Sequence, residues 1–258
     1  ANRKFTASII VGLVLSLGFY GSSYLVPLFV QTVQGYSPTR SGMLMIPGGI
    51  LMILALPIAG RLADKVPGYQ MTLFGLVVYA ISSLLMMQAS TDTPFWVFAS
   101  WLMLGRIGQA AMMPTLLVTA VATLKPEMLS QGAGALNFMR NLGGAVGINV
   151  IAVLLGQRTA FFSDAFAGLQ TPDNSATQQF MSQFGYLLGQ LGWSFEMMKS
   201  GLLYLVGRSV YIQASMMAFK DLFLFVAVCF FLAVIPALLM RDRRPKPKSR
   251  PVLAARTS

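Results

Sequence analysis

Residues 95–123 read FWVFASWLMLGRIGQAAMMPTLLVTAVAT, from Phe95 to Thr123, and Arg106 is the only charge in the stretch. A helix of about 20 such residues crosses the ~30 Å hydrocarbon core of a bilayer. Five further stretches read the same way: about Phe5–Val30, Gly42–Leu62, Met71–Gln88, Gln131–Gly156 and Leu222–Met240. Composition agrees. Of 258 residues 55% are hydrophobic and 10% charged, with a mean hydropathy of +0.66, whereas a soluble domain carries about 25% charge. The expected fold is an all-α membrane protein, a six-transmembrane-helix bundle.

The net charge of +11 would suggest nucleic acid in a soluble chain. Here the cations flank apolar spans, the pattern that orients a membrane protein, and no nucleic-acid partner is expected. With both ends of the chain in the cytoplasm, twelve Lys and Arg face inward: Arg3, Lys4, Arg61, Lys65, Lys125 and seven in the tail. Five face outward: Arg40, Arg158, Lys199, Arg208 and Lys220. The expected organisation is five spans in residues 1–156, a long outer loop with short helices over 157–220, a sixth span over 221–240, and a basic cytoplasmic tail over 241–258. Thr171–Ser175 reads as a turn in that loop. The chain starts with Ala, which suggests a fragment or a processed chain.

Polar residues are shared unevenly. The fifth span holds Asn137, Arg140, Asn141 and Asn149; the fourth holds Arg106 and Gln109; the first holds Ser16, Ser22 and Ser23 with Tyr20 and Tyr24. Polar groups in hydrocarbon face protein or a water-filled cavity. Spans one, four and five should therefore line something, and spans three and six should face lipid. The second, with Pro47, Gly48, Gly49 and Pro57, reads as bent. Arg106 lies about eleven residues in from one end of its span, roughly 16 Å deep, and Arg140 about nine residues in, roughly 14 Å. All eight acids lie at span ends or in loops. Asp221, at the start of the sixth span, reads as an N-terminal charge favouring the helix dipole. The chain lacks His, and its single cysteine, Cys229, lies mid-span and reads as packing. Neither a metal site, a cofactor nor an enzyme's acid pair is expected.

Three motifs follow in order. Gly60-Arg61-Leu62-Ala63-Asp64-Lys65 resembles the G-x-x-x-D-[RK] loop of the major facilitator superfamily. Gly60 would allow close helix approach, and Gly60, Asp64 and Lys65 together would form a conformational latch. Arg106-Ile107-Gly108-Gln109-Ala110 resembles a worn R-x-x-Q-G fourth-helix motif, with Ala110 in place of Gly. Gly134, Gly143 and Gly147 resemble the fifth-helix antiporter motif, with Ile148 where that motif has Pro, and they read equally as helix packing. The run Gln131-Gly132-Ala133, then Asn137-Phe138-Met139-Arg140-Asn141 and Gly143-Gly144, is similar to the C-terminal half of fourteen-helix drug:proton antiporters of the EmrB/QacA type.

That resemblance implies the second half of a major facilitator fold in a bacterial inner membrane, with an N-terminal bundle elsewhere. It implies proton-coupled efflux of amphipathic small molecules, and a periplasmic adaptor as a further partner. Cavity candidates are Phe19, Tyr20, Tyr24, Gln109, Met113, Asn137 and Arg140. Arg106 and Arg140 are candidate counter-charges to acids of the other bundle. The alternative is an importer or uniporter of a polar or anionic solute.

Overall fold

The computed structural model describes residues 3–63, 65–121, 129–170 and 195–239, with a few residues between 178 and 190. Among the described residues there are six long helices: α1 (Arg3–Thr32), α2 (Pro38–Ala63), α3 (Gly68–Met86), α4 (Phe95–Val121), α5 (Leu129–Gly168) and α6 (Phe195–Leu239). There is no strand among the described residues.

The α1–α2 junction shows how local chemistry sets a boundary. Gly35 has φ +67°, the left-handed conformation that costs an L side chain its Cβ clearance. It lets the Tyr36 N–H reach back to the Val30 carbonyl at 2.9 Å and close α1. Ser37 then caps α2, its Oγ accepting from the Arg40 N–H at 3.3 Å, and Pro38 takes the first helical position, where no N–H is needed. Gln34 ties this turn to the α3–α4 turn by donating to the carbonyls of Ser90 (3.0 Å) and Thr93 (3.1 Å). Both turns thus share one end of the bundle, called here the Gln34 end. The α2–α3 turn at Val66 lies at the other.

Helices pack where side chains are missing. A Cβ at Gly108 would stand 2.7 Å from the Gly75 carbonyl, and one at Gly75 would stand 2.5 Å from the Gly108 carbonyl, so α3 and α4 touch backbone to backbone. Gly143 and Gly147 do the same for α5 against Leu13 and Leu17 of α1. Small residues four apart permit such seams in lipid, where apolar side chains gain nothing by leaving the solvent. Around the seams, Phe29 packs on Phe98, Phe219 and Phe223 with ring centroids 5.4 to 6.2 Å apart, joining α1, α4 and α6.

Several expectations are revised. The fifth helix runs past Gly156 to Gly168, and the sixth starts at Phe195 rather than Leu222. Residues 157–168 and 195–220 are therefore helix extensions. Lipid sets the minimum length of a spanning helix but does not stop one. At ~1.5 Å per residue the 40 residues of α5 reach ~60 Å, about twice the ~30 Å hydrocarbon core. Asp221 accordingly sits inside a continuous helix and cannot serve an N-terminus; its Oδ2 pairs instead with Arg158 Nε of α5 at 3.5 Å. Thr171–Ser175, Asp64 and the tail fall outside the described residues.

Among the described residues, five of the six helices hold a stretch long and apolar enough to span a bilayer, and the described part of α4 is less apolar than these. It carries Arg106 and Gln109 and touches α1, α2, α3 and α5, so protein rather than lipid surrounds much of it. The exposed faces also differ from expectation. In α3 half of the most apolar window is buried, whereas in α2 it is 17% and in α5 28%. The helices left most open are α2 and α5, because each packs mainly along one edge of the bundle.

Candidate functional site

Four helices converge on Arg106: its own α4, α1 through Phe19, α2 through Gly48 and α3 through Tyr79. Arg106 Nη1 donates to Gln109 Oε1 at 3.0 Å, one turn along α4. Its guanidinium carbon stands 5.1 Å from the centroid of the Phe19 ring, a cation–π contact. A Cβ at Gly48 would come within 3.2 Å of Arg106 Cγ, so the stem of the arginine occupies the space that Gly48 leaves. Phe19 packs edge-on against Tyr20 at 5.1 Å. Phe19, Tyr20, Arg106 and Gln109 thus form one cluster.

Beside it lies a small hollow lined by Ser22, Tyr79, Ser82 and Arg106. The Tyr79 hydroxyl donates to the Gly18 carbonyl at 3.0 Å and lies 3.0 Å from Ser22 Oγ, whose own O–H can donate to it, and its ring stacks on Phe230 at 4.3 Å. Ser82 Oγ donates to the Trp101 carbonyl at 2.7 Å. Tyr79 joins α1, α3 and α6, yet sequence reasoning passed over it, because α3 reads as an apolar span. The one available signal was a tyrosine at mid-span, which needs a partner for its hydroxyl.

Arg140 lies elsewhere on the same side of α1. Its Cγ stands 3.7 Å from where a Cβ on Gly12 would be. Gly12 and Phe19 are seven residues apart, two turns on one face, so the two arginines meet α1 about 10 Å apart along its axis. Arg106 has a hydrogen-bond partner in Gln109. Arg140 has not: its Nε is buried without a hydrogen-bond partner. A guanidinium has only donors to offer, and a buried unsatisfied one costs about 1–3 kcal/mol. Among the described residues no carboxylate stands within ion-pair distance of either arginine.

The remaining candidates spread out. Asn137 is exposed on α5, and with Asn141 and Asn149 it lies on that helix's open face among Phe138, Leu142 and Val146. Met113 is half-buried one turn beyond Gln109. Tyr24, a turn from Tyr20, lines a separate cleft towards the Gln34 end. Gly60 makes no close approach within this bundle, since a Cβ there would meet nothing within 4 Å. Lys65 is exposed. Chemically, the arrangement offers two cationic donor groups at two depths, with aromatic rings and hydroxyls beside the inner one. It can hold anions, π systems and hydrogen-bond acceptors.

The family profile described as Major Facilitator Superfamily matches residues 1–148. The chain belongs to the Major Facilitator Superfamily. The match stops within α5, so the long extensions of α5 and α6 lie beyond it. Over 241 residues the chain is 22% identical to the uncharacterized MFS-type transporter YhcA of Bacillus subtilis, covering 93% of this chain and 45% of that protein. It is 26% identical over 247 residues to the colistin resistance protein EmrB of Acinetobacter baumannii, covering 95% and 47%. The chain spans about half the length of these relatives. In structure it resembles a bacterial homologue of the human lysosomal transporter Spinster in an inward-facing, occupied conformation, with a TM-score of 0.58 at 16% identity. That likeness covers 94% of this chain and 51% of the other, and it speaks for the superfamily fold alone.

Proposed function

We propose that this chain is the second six-helix bundle of a proton-coupled multidrug efflux transporter, working by alternating access across a bacterial inner membrane. The observation that carries the reading is Arg140. It is a membrane-depth cation with a buried, unpartnered Nε, next to an α5 face that leaves Asn137, Asn141 and Asn149 open. A polar face at that depth calls for protein or water against it. A first-half bundle meeting α2 and α5 supplies the cover, and a carboxylate on it supplies the counter-charge. A carboxylate beside a guanidinium releases its proton more readily than one moved away from it. Rocking the bundles would change that distance and so couple proton release to conformation. Relatives named for multidrug export and drug resistance support the cargo: amphipathic small molecules held by Phe19, Tyr20, Tyr24, Gln109, Met113 and Asn137.

In this reading the Gln34 end faces outward and both ends of the chain lie in the cytoplasm. Gly60, Asp64 and Lys65 latch against the first bundle rather than within this one, and the extensions of α5 and α6 reach towards a periplasmic adaptor. Import or uniport of an anionic solute is the second reading, because the arginines lack carboxylates among the described residues.

The test uses the full-length protein in proteoliposomes, with an imposed proton gradient and a fluorescent cationic dye as cargo. Gradient-driven dye movement in the wild type, lost in Arg140→Gln at unchanged folded yield, is the expected result. Anion uptake without any proton dependence would select the second reading.

A further inference from the structure

A cleft of about 460 Å³ opens between α1, α5 and α6 towards the Gln34 end, within the ~300–1,000 Å³ range of small-molecule sites. It lies apart from Arg106, and its walls grade along the bundle axis. Thr32, Ser163 and Tyr211 bring hydroxyls to the Gln34 end, and Leu28, Leu155 and Phe219 line the deeper part. No charged side chain is among the lining residues.

Ser215 sits in the α6 wall, one turn from Tyr211 and one from Phe219. The residue is fully buried, lines the cleft, and its Oγ has no hydrogen-bond partner. That is unusual here. Serines inside helices commonly donate to the carbonyl four residues back, as Ser16, Ser83 and Ser209 do at 2.9 to 3.1 Å. Ser215 does not, so the cleft wall holds a buried hydroxyl that no described group satisfies.

We propose that this cleft is a second binding site. It takes an uncharged amphipathic molecule whose hydrogen-bonding group meets Ser215 Oγ and whose apolar body lies along Leu155 and Phe219. A charged ligand is disfavoured because nothing lining the cleft would offset its lost hydration. The neighbouring ions, Arg158 and Asp221, are engaged with each other. Two sources carry this chemistry: a free neutral solute and the acyl-ester region of a membrane lipid.

Photolabelling of the full-length protein distinguishes them, and because it requires no transport it stands or falls separately from the efflux reading. One arm uses octanol bearing a diazirine; the other uses vesicles containing phosphatidylcholine with a diazirine in one acyl chain. Adducts are mapped by mass spectrometry. Labelling within 152–163 and 211–219 is expected, with the first probe alone indicating a free solute and the second alone a lipid. Thr159→Phe, which fills the cleft, should lower it about tenfold. Ser215→Ala should lower it about threefold, the equivalent of one modest hydrogen bond. Ser215→Ala removes an unsatisfied group, so its unfolding temperature should hold or rise, which keeps the result readable. Absence of adducts from both probes would overturn the proposal, as would labelling that Ser215→Ala leaves unchanged. The first result would mean that no such molecule enters the cleft, and the second that Ser215 does not receive it.

Discussion

Tyr79 joins three helices with one side chain: its own α3, α1 through Gly18 and Ser22, and α6 through Phe230. Interhelical hydrogen bonds in membranes average about 0.6 kcal/mol and reach about 1.7, so Tyr79→Phe should lose roughly that much, read as a lower unfolding temperature in detergent. The stacked ring remains in that variant, and an equal loss from Phe230→Leu would show that stacking dominates instead. Gly35 makes a sharper case. Its φ of +67° suits glycine, and Gly35→Ala should cost about 1–2 kcal/mol, whereas Gly42→Ala, inside α2 with nothing within 4 Å, should be neutral or stabilise by up to about 1 kcal/mol. Arg106 and Gln109, three residues apart on one helix, were legible as a pair from spacing alone. The missing partner of Arg140 was not, because it depends on which neighbours the bundle brings past Gly12.

At the scale of elements, the glycine seams decide who packs on whom. Gly108 meets Gly75 with backbone atoms on both sides, so Gly108→Leu must push α3 and α4 apart. Overpacking of this kind costs about 1–3 kcal/mol and often more. A sharp fall in folded yield is expected by fluorescence-detected size-exclusion chromatography, against near wild-type yield for Gly60→Leu, where the space is open. Both glycines occur in motifs, and nothing in the local sequence separates a seam glycine from an open one. The same limit explains Asp221. Its place before an apolar run looked like a helix start, but a helix that simply continues leaves no local mark where lipid ends. Only the α5–α6 pairing brings Arg158 beside it.

For the whole molecule, α5 and α6 extend past the helices they pack with, and Arg158–Asp221 ties them where the extension begins. Both side chains are more than a third exposed, so the pair should contribute less than about 1 kcal/mol. A double-mutant cycle on Arg158→Ala and Asp221→Ala, followed by thermal unfolding at low and high salt, should give a coupling of that size that shrinks with salt. A coupling several times larger would mean that the pair is shielded from solvent. The openness of α2 and α5 belongs to this scale too: it arises because the six helices leave two edges that no further helix among the described residues covers.

The sequence by itself determined that the chain is an apolar, all-helical membrane protein, about where its first four helices lie, and which motifs mark the superfamily. Those readings rest on local sums. A backbone in hydrocarbon must bond to itself, so about 20 apolar residues in a row leave little choice but a helix. Tertiary structure alone decided that α1 pairs with α5 and α3 with α4, that Arg106 is satisfied while Arg140 Nε is not, and that a cleft with an idle Ser215 hydroxyl opens at the Gln34 end. Those outcomes depend on which backbones approach closely enough to touch. Close approach is settled by small residues far apart in the chain meeting one another, which no window along the sequence contains.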